Sequence, residues 1–348
     1  MSETDGDQPS DTMRERVDES RLKLWLLLDA DRELIAAIPL LIVFCSLVVL
    51  GVLDPAPLRN AISVGDPIET TFQAFITAII TGVTLVVTLN QLVLSQELGP
   101  LGDQRERMAG AMDFRMDVED AMEAPISPPE PAAFLRSIVD VTQTRANDLE
   151  DAVSDSRDEQ FIERTRDYVE SLTENASAVG DQLEDAQFGT FDVLFAALNY
   201  NYSWKIYEAR RLRNEHEDSL TDEADEAFDR IVEVLKFFGP AREHFKTLYF
   251  QWELINLSRV LLYAAVPALI VSVGAVLTLD NLGTVTGYTL GIDNLVLVTS
   301  AAVTVALIPF MLLLSYVLRI ATVAKRTLSI GPFILRETER TADIDWDE

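Results

Sequence analysis

Four stretches without a single charged side chain stand out along the chain: Leu34 to Leu53, Thr70 to Gln96, Val260 to Leu279 and Asn294 to Leu318. They hold 20, 27, 20 and 25 residues, and a helix needs roughly 20 to cross about 30 Å of hydrocarbon. No other stretch qualifies. The nearest, Phe188 to Tyr202, is interrupted by Asp192 and reads as a buried helix of an aqueous part. The N-terminus opens with the acidic run MSETDGDQPSD and has no basic segment before a short apolar core, so the first span is expected to be retained rather than cleaved as a signal peptide. The pattern predicts an all-α integral membrane protein with four transmembrane helices arranged 2+2, and a helical domain inserted between spans two and three. Its boundaries are a tail over 1–33, a hairpin over 34–96 (spans 34–53 and 70–96), an acidic helical domain over 97–257, a second hairpin over 258–320 (spans 258–279 and 294–319), and a tail over 321–348.

Between spans two and three the apolar period changes to that of half-buried helices. Phe161, Thr165, Tyr168, Leu172, Ala176, Val179 and Leu183 step by three and four, and so do Phe228, Ile231, Leu235 and Phe238, as faces buried against partners do. Ala124 to Pro131 contains four prolines and must be a linker between helices. Three Gly-Pro pairs, Gly99-Pro100, Gly239-Pro240 and Gly331-Pro332, suit places where glycine ends one helix and proline opens the next. The first two pairs are candidate hinges. After the second, a run from Ala241 to Leu279 could form one helix of about 55–60 Å that rises into the membrane.

Charge adds environment and sidedness. Acids number 57 against 28 bases, giving a net charge of −29, and only five of the bases are lysine. Self-repulsion of that size strains a compact fold at low salt. At about 1 M salt the Debye length is roughly 3 Å and the acidic coat becomes tolerable, so the composition is that of a salt-in halophile of archaeal type. Acidity on this scale argues against nucleic acid as a partner. Basic residues cluster before span one, between spans two and three, and after span four, while 54–69 holds only Arg59 and 280–293 none. The positive-inside rule then puts both termini and 97–257 in the cytoplasm of a plasma-membrane protein. Leu22 to Leu28, with Trp25 and the flanking Arg21 and Lys23, suits a helix lying at the lipid headgroups, as does Ile330 to Leu335. Trp252 and Tyr249 are expected as interfacial anchors.

Span two differs from the other three. Thr70, Gln73, Thr77, Thr81, Thr84, Thr88, Gln91 and Ser95 recur at intervals of three or four over its whole length, so all eight share one helical seam of about 37 Å. Phe72, Ile76, Ile79, Ile80, Val83, Val86 and Val87 are expected on the opposite side. Such a seam could line a hydrated path if several copies faced a common axis. Glu69, with Asp66, would stand at one mouth and Glu97 at the other, favouring cations with low selectivity. The competing account is packing: threonine hydroxyls bond the carbonyl four residues back, and small hydroxylated residues mediate helix contacts in bilayers. No ionisable side chain falls inside any span, which argues against a coupled pump.

The remainder carries no phosphate loop, nucleophile elbow or dinucleotide fingerprint, and no paired-histidine motif. No enzyme activity, cofactor or metal is expected. One cysteine, Cys45, precludes an internal disulfide, and His216 and His244 look like surface residues. The acids from Glu215 to Glu226 suit a solvated helix start capped by Ser219. The plan of two spans, a helical insert and two more spans is similar to that of bestrophin-type channels, in which the second span lines the pore, and to that of the flagellar motor stator's larger subunit. The leading expectation is a homo-oligomeric passive ion channel in contact with membrane lipid. The alternative is a non-conducting membrane scaffold or sensor whose cytoplasmic helices bind a protein partner.

Overall fold

The structure is a computed structural model, and it describes residues 30–53, 65–184, 186, 191–279 and 283–326. It is helical almost throughout. The helices are α1 (Arg32–Leu53), α2 (Pro67–Glu97), α3 (Leu101–Ala121), α4 (Pro131–Val153), α5 (Glu159–Glu184), α6 (Asp192–Leu198), α7 (Tyr202–Glu215), α8 (Asp222–Thr278) and α9 (Asn294–Arg326). Four of them, α1, α2, α8 and α9, are long and apolar enough to cross a membrane. The one strand pairing among the described residues joins β1 (Tyr288–Thr289) to β2 (Ile292–Asp293). Leu290 and Gly291 between them both have positive φ, as the two-residue hairpin turn demands. The Gly331-Pro332 pair and the segments 22–28 and 330–335 lie outside the described residues.

The chain forms two compact units, one built on 99–250 and the other on 30–98 with 251–323. The first has an ordinary aqueous-type core. α4 and α5 pack as a hairpin, and every member of the two predicted faces, from Phe161 to Leu183 and from Phe228 to Phe238, is buried. Leu172, Leu149 and Ile138 have no exposed surface. The proline-rich linker runs from α3 to α4 as predicted. α3 closes in a Schellman arrangement, with Glu123 at positive φ and its amide bonded to Asp120 O, and the amide of Ala124 bonded to Glu119 O. The linker then folds back: the amide and hydroxyl of Ser127 both donate to Glu119 Oε1 at 2.7 Å, and Arg115 donates to Ser127 O. Those bonds from Ser127 hold the Glu119 carboxyl below its usual pKa. Pro131 then sits in the first turn of α4, whose open amide at Ala133 is capped by Glu130.

Four local expectations change. Gly239-Pro240 ends nothing, because α8 runs through it. A Cβ at Gly239 would meet the Tyr202 hydroxyl at 3.1 Å, so close packing of an aromatic ring, and not a helix end, accounts for this glycine. Of the predicted helix Phe188–Tyr202, the described residues 191–202 form not one helix but the short α6, followed by a break at Asn199–Asn201 before α7. That break is held by α5: Asn175 Nδ2 donates to Asn199 O at 2.9 Å, and Asn175 Oδ1 accepts from the Asn201 amide. His216 is no surface residue. Its ring stacks on Phe161 with centroids 4.9 Å apart, and its Nδ1 lies 3.1 Å from Asp158 Oδ2, whereas His244 is exposed. Asp158 also caps α5 through the amides of Gln160 and Phe161. The Phe161 amide first, then the Ser219 hydroxyl and His216, keep the Asp158 carboxyl below its usual pKa. With Ser219 bonded to Asp158, the cap of α8 falls to Thr221, whose hydroxyl accepts from the Ala224 amide at 3.1 Å.

Candidate functional site

α2 opens with Pro67 in its first turn and Glu69 close behind, a start that needs no amide from the proline and sets a carboxylate at the positive end of the helix dipole. Ile68, Phe72, Ile79 and Val86 are its buried residues, and their spacing of four and seven makes a single stripe. Ile68 and Phe72 pack with Ala275, Leu279, Leu295, Ala302 and Ala306, Ile79 with Ala265 and Ala268, and Val86 with Leu257, Leu261 and Tyr316. The apolar stripe therefore lies on α8 and α9 along the length of the helix.

The polar seam lies off that contact. Thr70, Gln73, Thr77, Thr81, Thr84, Thr88, Gln91 and Ser95 are all exposed. Ile80 and Val87, expected on the packed side, are exposed as well, because at 100° per residue each neighbours a threonine three or four positions away. Five of the six seam hydroxyls are satisfied within the helix: Thr77 donates to Gln73 O at 3.0 Å, Thr81 to Thr77 O at 2.8 Å, Thr84 to Ile80 O at 2.9 Å, and Thr88 to Thr84 O at 2.9 Å. Ser95 donates to Leu92 O at 2.7 Å. Having spent its proton on the backbone, each hydroxyl oxygen offers only lone pairs outward. Between Gln73 and Gln91 the face is thus a ladder of hydroxyl acceptors, a surface suited to water and to cations. At one end Gln73 Nε2 donates to Glu69 Oε1 at 2.8 Å, close to the exposed Asp66. Gln91 makes no hydrogen bond among the described residues. The side chain of Glu97 lies outside them. Gly99 and Pro100 fall in the three-residue break between α2 and α3.

A second polar group in the same unit escaped sequence reasoning. Glu253 of α8, 1% exposed, pairs with Arg32 at the start of α1, and the Arg32 guanidinium lies over the Tyr316 ring of α9, 4.8 Å from its centroid. Arg319, also on α9 and buried, donates to Ala30 O at 2.5 Å. These residues tie α1, α8 and α9 together at one end. Arg32 and Arg319 sit just beyond charge-free stretches and Glu253 seven residues before one, and partners are separated by up to 289 positions, so no local pattern announces the group. Of the two expected anchors, Trp252 is exposed, but Tyr249 is buried against Phe191, with ring centroids 5.7 Å apart.

Comparison with known proteins places the chain by its whole length. It belongs to DUF7972, a family of unknown function whose profile matches residues 1–348. No curated protein and no solved structure matches it. The geometry of α2 and of the Arg32–Glu253 group is therefore the ground on which a role for this DUF7972 member is argued.

Proposed function

We propose that the chain is a passive ion channel of the cell membrane, formed by two or more copies whose α2 seams face a shared hydrated path. One observation carries this reading: within the protomer, α2 buries its apolar stripe and turns all eight seam residues outward. A lipid-facing surface gains nothing from a ladder of polar oxygens, whereas water, or another copy of the same face, does. Acceptor oxygens with Glu69 at one end favour cations. In molar salt, charge acts only near contact, so discrimination is low. With sidedness set by the arginine distribution, both termini and 97–257 face the cytoplasm.

The back-bonded hydroxyls favour a second reading from another class. Satisfied internally, they also suit tight packing in a non-conducting scaffold or sensor, whose cytoplasmic helices bind a protein partner. Current across a planar bilayer holding purified protein in molar KCl separates the two, with Thr81→Lys and the double variant Thr81→Val, Thr84→Val run alongside. The channel reading expects unitary currents that lysine blocks or rectifies and that the valines alter without loss of assembly. Silence from folded, oligomeric protein sinks it and leaves the scaffold.

A further inference from the structure

The first thirteen residues of α3, Leu101 to Asp113, are exposed on every side. Helices of this length are marginal in water without packing, and Gly102 and Gly110 each cost about 1 kcal/mol relative to alanine. Neither glycine has anything within 4 Å of where a Cβ would stand, so no contact among the described residues explains them. On this helix Leu101, Met108, Met112 and Met116 are 86%, 64%, 43% and 47% exposed. At 100° per residue they fall within one sector of about 80°. The side that meets the core, with Phe114 and Val118, lies about 140° round from it, so the stripe is bare even where the helix is docked. Methionine makes adaptable contact surfaces, and Gly102, about 40° from the edge of the stripe, lets another backbone come close there.

We infer that this stripe pairs with the α3 stripe of a second copy of the chain, antiparallel about a two-fold axis through Met112. Charge selects that occupant. α3 carries six acids and three arginines, which sets it against the anionic face of a bilayer. Arg105 lies within the stripe and has no ion-pair partner among the described residues. Parallel pairing would bring Arg105 against Arg105. Antiparallel pairing brings it to Glu119, since the two are equally far from Met112, as are Met108 and Met116. Glu119 commits Oε1 to Ser127 and has Oε2 for the arginine. A self-complementary patch of this kind closes at two copies per contact. The pairing goes beyond the channel reading and stands without it.

The test uses full-length protein in lipid nanodiscs, in a Cys45→Ala background, with single cysteines on α3 and a short thiol cross-linker. Met112→Cys should cross-link to itself. Met108→Cys and Met116→Cys should each stay monomeric on a denaturing gel yet give a dimer when the two variants are mixed before reconstitution. Met112→Asp, on a residue the protomer leaves exposed, should keep the circular dichroism of the parent and weaken self-association by about tenfold or more, since it sets two carboxylates face to face. Self-cross-linking of Met108→Cys or Arg105→Cys at the rate of Met112→Cys means parallel pairing and overturns the inference. So does unchanged association of Met112→Asp, or absence of any α3 cross-link. Bilayer currents report separately, so loss of the α3 pair and loss of conduction are distinguishable.

Discussion

α1 and α2 are both long and apolar enough to span a membrane, and they differ in that only α2 carries a continuous polar seam among its exposed residues. α1 exposes Leu41, Ile42, Val49 and Leu50, the dress of a helix whose solvent is lipid. α2 exposes its threonine, glutamine and serine seam over its full length, flanked by exposed apolar residues such as Ile80, Leu85 and Leu92, and hides Phe72, Ile79 and Val86. On the proposed reading the two do not share a solvent: α1 faces acyl chains, and the seam of α2 faces water or a second copy. A span is defined by its hydropathy, but its role is set by which of its faces the neighbouring helices leave free.

The largest effect should come from what fixes α1, which buries little of itself. Arg32→Met leaves the buried Glu253 without its arginine and should cost about 3–5 kcal/mol, while Arg32→Met with Glu253→Met together should recover most of that, read as thermal stability in detergent. If the double variant is no better than the single, the pair is not what holds α1. Next comes charge on the two exposed faces. Leu41→Lys puts an ammonium on a 63% exposed lipid face and should cost about 2.5–3.5 kcal/mol. Thr81→Lys, on a face that the channel reading makes wet, should cost less than about 1 kcal/mol in the same assay, and equal penalties would erase the contrast between the helices. Gly51 of α1 meets α9 so closely that a Cβ would stand 2.5 Å from Val296 Cγ1. Gly51→Ala should therefore lose about 1–3 kcal/mol, and Gly51→Ala with Val296→Ala should restore it. The smallest effect belongs to Thr84→Val, which removes one back-bonded hydroxyl on an open face and should change stability by no more than about 0.5 kcal/mol. A large loss there would mean that the seam is a packed interface.

The parts that were legible in the sequence are those governed by local period. The four apolar stretches, the buried faces Phe161–Leu183 and Phe228–Phe238, the proline linker and the polar seam each repeat within a few residues, and a helix converts such repeats into faces without reference to the rest of the chain. Gly239-Pro240 misled because the same dipeptide suits a helix end and a close contact, and only the position of Tyr202 tells them apart. His216 misled because its partner, Asp158, is 58 residues away. The methionine stripe of α3 went unseen because four apolar residues among nine charges look like a solvated helix until the exposure of the remaining sides is known.

By itself, then, the sequence determined that this chain has four helices long and apolar enough to cross a membrane, that it carries a helical acidic segment between the second and third, and that one of the four has a polar edge. Hydropathy and helical period are properties of neighbours along the chain, and they survive any arrangement of the helices. Tertiary structure decided which edge of α2 is covered, that Arg32 and Glu253 meet across 221 positions, and that α3 is left with an unpaired apolar stripe. Those outcomes depend on which surfaces exclude one another in space, and burial and ion pairing between distant residues are fixed only when the helices pack.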